Sequence, residues 1–411
     1  MLISRRNFLK STATLLPAFA SLPMVFRRAV ASSMLESSSY SSPYQNRTLI
    51  IIQMAGGNDG LNTVIPYTDS KYYDHRSYLA VSDEDVLDLN GELGLHPVLG
   101  KMKLLWDQGL LAVVQGVGYE NQSYSHFESM HIWQTADNKG KLEEGWLGRY
   151  FESLKGMEDN IFQGLAVGKL MPYECSNLNA PIPVVSSIDK YRLEGSTQQR
   201  SEALLKLYSS SPLGAPYGVL LDNTIEAVYK SSEALQTADK NYQSDIQYPE
   251  TSLSKSLKVL AEAIIGDLGV RVGHVKIGGF DTHSDQIVEQ PDLLQEMSEA
   301  IYAFYEDLKA AGRDQDVLIM TWSEFGRRVK SNGSGGTDHG AAAPMFLIGS
   351  PVVGGIYGEN PNLRNLDKDN LRFTTDFRSV YSTVLEEWLG AAPEAILGGQ
   401  RFEHIPFLAK V

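Results

Sequence analysis

The chain has 411 residues, 43% of them hydrophobic and 21% charged, a globular composition that excludes disordered, collagenous and coiled-coil chains. Lys and Arg number 36 against 50 Asp and Glu, a net charge of −14, and a body this acidic repels nucleic-acid backbones and anionic lipid. With one cysteine, Cys175, no intrachain disulfide or thiolate-rich metal centre is open to it, so any metal must be held by oxygen and imidazole.

Residues 1–31 hold Arg5, Arg6, Lys10, Arg27 and Arg28 and no acid. Ser4-Arg5-Arg6-Asn7-Phe8-Leu9-Lys10 precedes a mildly apolar run from Ser11 to Phe26 and then Ala29-Val30-Ala31. This is the basic, apolar and small-residue order of a signal peptide, and the run is shorter than the roughly 20 residues a membrane span needs. The paired arginines before Phe-Leu-Lys resemble a twin-arginine export signal, which implies the twin-arginine machinery as a partner and a periplasmic or secreted product without a transmembrane anchor. Residues 32–46, rich in Ser and Tyr, read as a flexible leader.

From residue 47 onward, continuous apolar runs mark buried strands of a parallel type. They fall at Thr48–Met54, Leu110–Val114, Val272–Ile277, Val317–Thr321 and Met345–Ile348. Helical periodicity lies at Val98–Gln108, Phe127–Ala136, Leu257–Leu268, Asp292–Ala311 and Asp376–Leu389. Alternation of the two predicts an α/β sheet flanked by helices over 47–411. Between about 140 and 248 the pattern loosens into a helix at Leu147–Leu154, a strand pair near Gly164–Lys169 and Pro183–Ser187, and a polar helical stretch with Leu204, Leu205, Leu207, Ile225 and Val228. That segment is expected to be an insertion capping the active edge of the sheet.

Ligands of open α/β sheets bind beyond the carboxyl ends of the strands, so the polar residues that follow the apolar runs are the candidates. The first run ends in Gly56-Gly57-Asn58-Asp59-Gly60-Leu61-Asn62, where Asp59 offers oxygen to a cation, although the same residues suit a ligand-free turn. After the second come Ser123-Tyr124-Ser125-His126-Phe127; a Ser at a helix start is either an N-cap or a hydroxyl whose ionised form the helix terminus favours. The third is followed by Gly278-Gly279-Phe280-Asp281-Thr282-His283, and residues two apart in an extended segment face one side, so Asp281 and His283 suit a Zn- or Mn-type ion. The fourth leads into Glu324 and Arg327, then a glycine-rich loop, then Asp338-His339 before the fifth run. His75, His96, His131, His274 and His404 read as structural or exposed, and Tyr73 and Arg76 are placed near the mouth of the site.

The ordered segments SRRNFLK, MAGGNDGLN, SYSHFESMHIWQTA, GGFDTHSDQ, TWSEFGRRV, GTDHGAAAPMFLIG and TDFRSVYSTVLEEWLG resemble the exported family called domain of unknown function 1501, across essentially the whole chain. That family is similar to the alkaline phosphatase and sulfatase superfamily, which implies an alkaline-phosphatase-like, mostly parallel mixed sheet and a metal-dependent hydrolase of small anionic phosphate or sulfate esters. The resemblance implies Ser125 as nucleophile and Asp59, Asp281, His283, Glu324 and His339 as ligands of one or two divalent ions (Zn, Mn or Ca). Asn62, His126, Arg327 and Asp338 are expected behind those ligands or against the substrate, with Arg327 or Arg149 clamping its anionic group. The chain departs from the superfamily in the Asp281-Thr282-His283 spacing and in Phe325, which stands where phosphatases place a histidine after the acidic ligand. Asp338-His339 is an alternative match to the Asp-His pair, and a non-catalytic exported binding protein that keeps this fold is the alternative function.

Overall fold

The computed structural model describes residue 44 and residues 46–154, 160–177, 182–191 and 218–410. The expected export signal, most of the leader, and Leu204, Leu205 and Leu207 lie outside the described residues.

Among the described residues nine strands form the central sheet: β1 (Thr48–Ala55), β2 (Leu111–Gly118), β3 (Gly164–Val167), β4 (Val184–Val185), β5 (Val272–Gly278), β6 (Val317–Trp322), β7 (Ala343–Ile348), β8 (Gly355–Tyr357) and β9 (Thr375–Asp376). Their order is β8-β2-β7-β6-β1-β5-β3-β4, with β9 also on β2. Strand β1 pairs in parallel with β5 and β6, while β7 runs antiparallel to both β6 and β2. The sheet is therefore mixed but mostly parallel, as the sequence implied.

Burial on both faces explains the unbroken apolar runs. Ile50, Ile52 and Met54 of β1 point into one core, and Leu49 and Ile51 into the other. Helices α1 (His126–Thr135), α2 (Ser252–Ile265), α3 (Gln286–Ala310) and α4 (Phe377–Thr383) supply much of the covering layers. The helix expected to start at Asp292 begins at Gln286 and carries Pro291 in its second turn. At that position the proline leaves the Ile287 carbonyl without its i+4 donor, one internal bond lost near the start of a long helix. The last expected helix ends as a π-turn over Val384–Trp388.

The segment between 140 and 248 contributes to the sheet itself. Strand β3 pairs in parallel with β5, and β4 with β3, so both extend one edge of the sheet. The reversal of β7 matters most for the site: its first residue lies at the same sheet edge as the last residues of β1, β5 and β6, so the loop that precedes β7 meets the loops that follow the other three.

Candidate active site

Beyond β1 the chain turns through Gly56 and Gly57, both at positive φ (124° and 81°). A Cβ on Gly56 would stand 2.3 Å from the backbone nitrogen of Asp281, and one on Gly57 would stand 2.3 Å from the Phe325 ring. Only glycine permits this conformation and this approach. The Gly56 N–H donates to Glu324 Oε1 at 2.9 Å. Arg327, 1% exposed, then ties the loops together: its guanidinium donates to the carbonyls of Gly57 (2.6 Å), Thr337 (2.8 Å), Phe280 (2.9 Å) and Gly56, and to Asp281 Oδ1 at 2.7 Å. These bonds occupy the Arg327 donors, so the expected substrate clamp is a structural pin. Arg149 donates to the carbonyls of Ile396, Thr135 and Glu144, and it too is committed to backbone.

Three imidazoles gather on Asp281. His283 Nε2 lies 3.1 Å and His339 Nε2 3.0 Å from Oδ1, and His126 Nε2 lies 3.4 Å from Oδ2. The other nitrogen of each ring is held by an oxygen: His126 Nδ1 by Glu324 Oε1 (2.8 Å), His283 Nδ1 by Asp338 Oδ1 (3.2 Å), and His339 Nδ1 by the Tyr124 carbonyl (2.7 Å). A carbonyl accepts only, and an ionised carboxylate accepts only, so each Nδ1 has an acceptor that fixes its ring, and each Nε2 is turned toward the Asp281 carboxylate. His283 Nε2 and His339 Nε2 are 3.0 Å apart. A cation placed among them would satisfy both nitrogens and the carboxylate together.

The residues thus fit a divalent cation. Imidazole and carboxylate are the donors that Zn and Mn accept, and a His whose second nitrogen is tied to a carboxylate or carbonyl is the usual form of a metal-binding His. Glu324 is fully buried, with Oε2 lacking a hydrogen-bond partner among the described residues. Burial raises the Asp281 carboxyl, but hydrogen bonds from Arg327 and His339 and the nearby charge of Arg327 outweigh it and bring the group down to about 2. Asp338 is likewise held below the carboxylate range, by Asn332 first and, against some desolvation, by His283.

Of the residues expected from sequence, Asp281, His283, His339, Glu324, Asp338 and His126 come together. The places of Glu324 and His126 are exchanged: the imidazole faces the cluster centre, and the Glu324 oxygen that contacts it orients the ring. His126 also fills the gap anticipated after Glu324, because Phe325 packs against both His126 and His339, with ring centroids 4.9 and 4.5 Å away. Asp59 makes none of these contacts. It is 1% exposed and paired on both oxygens with Arg76, one bond being 2.9 Å, while also accepting from Leu61 N–H and Gln286. Arg76, fully buried, is its counter-ion and no part of the mouth. Asn62 is also interior, donating to the Leu79 carbonyl at 2.7 Å and accepting from the Tyr72 hydroxyl at 3.0 Å.

Ser125 is exposed and occupies the N-cap of α1, yet its side chain forms no capping bond. Its neighbours on either side, Tyr124 and His126, both touch the cluster. Gln286 escaped the sequence reading; it donates to Asp59 and accepts from Thr337 Oγ1 at 2.6 Å, and only its position in the first turn after Asp281-Thr282-His283 hinted at it.

A family model described as "Protein of unknown function (DUF1501)" matches residues 112–389. The chain belongs to that family. No curated protein matches the sequence. Among solved structures, this DUF1501 member is similar to the PsFucS1 sulfatase from Pseudoalteromonas sp., with 12% identity, a TM-score of 0.39, and coverage of 98% of this chain and 76% of that one. It is also similar to an alkaline phosphatase superfamily protein from Vibrio parahaemolyticus, with 10% identity, a TM-score of 0.34, and coverage of 88% and 73%. A third is the lipoteichoic acid synthase LtaP from Listeria monocytogenes, with 9% identity, a TM-score of 0.31, and coverage of 81% and 76%. Among the described residues no helix is long and apolar enough to cross a membrane.

Proposed function

We propose that this DUF1501 protein is an exported, metal-dependent hydrolase of anionic phosphate or sulfate esters, with Ser125 as its nucleophile. The observation that carries the reading is the common orientation of three imidazoles, each anchored through Nδ1 and each turning Nε2 toward Asp281. His126, Asp281, His283 and His339 would hold the cation, with Glu324 and Asp338 fixing the rings. Export rests on the Ser4–Lys10 signal alone.

A bound divalent ion supplies Lewis-acid charge that stabilises an ionised hydroxyl and the oxygens of the transferring group. The chain supplies the rest. Ser125 stands uncapped at the start of a ten-residue helix, where unpaired backbone N–H groups and the helix dipole favour negative charge. Its hydroxyl loses its proton to solvent and attacks phosphorus or sulfur, the ester oxygen departs with the bonding pair and takes up a proton, and water then cleaves the serine ester to restore the hydroxyl. Arg327 contributes by holding Asp281 in place.

The test is turnover of p-nitrophenyl phosphate and sulfate by protein supplied with Zn, Mn or Ca. Ser125→Ala is expected to lower kcat/KM at least a hundredfold while retaining bound metal. Undiminished turnover in that variant would remove the nucleophile from the account.

A further inference from the structure

Ten large hydrophobic side chains are exposed among the described residues, and five of them, Tyr78, Tyr124, Phe127, Ile287 and Val288, belong to segments that carry or contact the histidine cluster. The rings of His126, His339 and His283 form a row, with successive centroids 4.5 and 4.7 Å apart. At one end Phe127, 87% exposed, follows His126 directly, while Tyr124 offers its carbonyl to His339 in the middle of the row. At the other, Ile287 and Val288, 60% and 62% exposed, occupy the first turn of α3 just after His283. Tyr78 joins them through Asn332: its hydroxyl donates to the Asn332 carbonyl at 3.0 Å, and Asn332 donates to the His283 carbonyl at 2.9 Å.

Helix packing does not account for these residues. The buried face of α3 near its start is Gln286, Gln290 and Leu294, and that of α1 is Ser129, Ile132 and Trp133. Phe127, Ile287 and Val288 therefore lie where an amphipathic helix ordinarily carries polar groups. Scattered apolar side chains on a surface call for no explanation, but a group of them around a reaction centre marks what the centre binds. Between the two ends lies the centre that, with the proposed cation bound, would take negative charge; the exposed Arg328 flanks it, its backbone N–H donating to the Asp338 carbonyl at 2.9 Å. A polar anion-binding centre with apolar flanks is complementary to a molecule with one anionic head and an apolar remainder. The net charge of −14 disfavours anionic lipid surfaces as the occupant.

Building on the proposed hydrolase reading, we infer that the substrates are sulfate or phosphate esters of apolar alcohols, alkyl or aryl, whose organic part rests on Phe127 at one end or on Ile287 and Val288 at the other. Phe127, Ile287 and Val288 are then specificity residues for the leaving group.

The experiment has two arms. In the first, calorimetry on metal-loaded protein compares methylphosphonate with hexylphosphonate, which reads the apolar flanks without turnover. Hexylphosphonate is expected to bind at least tenfold tighter, since a fully buried methylene contributes a factor of about four and a half-buried one about two. In Phe127→Ser, or in the double variant Ile287→Ser with Val288→Ser, the hexyl-to-methyl ratio should fall toward one. In the second arm, kcat/KM for methyl and hexyl sulfates and phosphates should show the same preference. Equal affinity for the two phosphonates in the unaltered protein overturns the inference, as does turnover of the esters without a chain-length preference. A clear preference for hexylphosphonate with no ester turned over upholds the apolar flanks and overturns the hydrolase reading. Co-sedimentation with neutral phosphatidylcholine vesicles that Phe127→Ser abolishes would assign the apolar side chains to a membrane and also overturn the inference.

Discussion

Asp59 and Asp281 share the same credentials in the sequence: each is a carboxylate that follows a glycine pair at the end of an apolar strand. Their partners separate them. Asp281 is half-exposed and faced by imidazoles, whereas Asp59 is sealed against Arg76 with side-chain exposures of 1% and 0%. Truncating one member of such a pair leaves a bare buried charge, so Asp59→Ala is expected to cost about 3–5 kcal/mol of stability, read by urea denaturation, while metal binding per folded molecule persists. Loss of metal with unchanged stability would return Asp59 to the ligand set. The Asp281–His283 and Asp338–His339 pairs were legible because strand-end context and residue type sufficed. The Asp59–Arg76 pairing was not, since nothing local to either residue says which charge it will meet. His126 was underrated for a related reason: its role depends on Glu324, 198 positions away. Removing that anchor by Glu324→Ala should weaken metal affinity about 10–100-fold, the usual effect of losing the group that orients a ligating imidazole; unaltered affinity in a metal titration would deny Glu324 that role.

At the scale of elements, the strands announced themselves because residues buried on both faces leave no alternation to confuse with a helix. Direction and order were not written there. No local pattern shows that β7 runs antiparallel, yet that reversal brings His339 to the edge where Asp281 emerges. The strand pair expected near Gly164–Lys169 and Pro183–Ser187 is present as β3 and β4, but that β3 pairs with β5 and extends the central sheet was not written there, since strand partners are distant in sequence. The loops depend on close approach as much as on charge. Gly56→Ala would drive a methyl into the Asp281 backbone at a φ that L-residues rarely adopt. The expected result is a loss of at least about 1–3 kcal/mol together with weaker metal binding, measured by denaturation and by metal titration. A variant as stable and as avid as the parent would mean that this contact does not set the position of Asp281.

Across the whole molecule, buried ionisable groups make stability depend on pH. His96, 9% exposed, is pushed down to about 4 by burial, against the raising pull of Asp59. Its native pKa lies below the unfolded one, so the unfolded chain takes up the proton first as the solution is acidified. Stability should therefore fall between about pH 6.5 and 4, by roughly 3 kcal/mol for this group. His96→Asn keeps an N-cap acceptor for Val98 and removes the titration, so its denaturation curves should be flatter across that window; an unchanged slope would show that His96 does not titrate in this way. The central claim is that imidazoles from three separate segments enclose a divalent cation. Calorimetric titration of metal-free protein with Zn or Mn tests it most directly, comparing the parent with the double variant His283→Ala and His339→Ala, whose folding is checked by circular dichroism. The account predicts one or two equivalents bound by the parent and none by the folded variant; absence of binding in the parent, or equal binding in both, would contradict it.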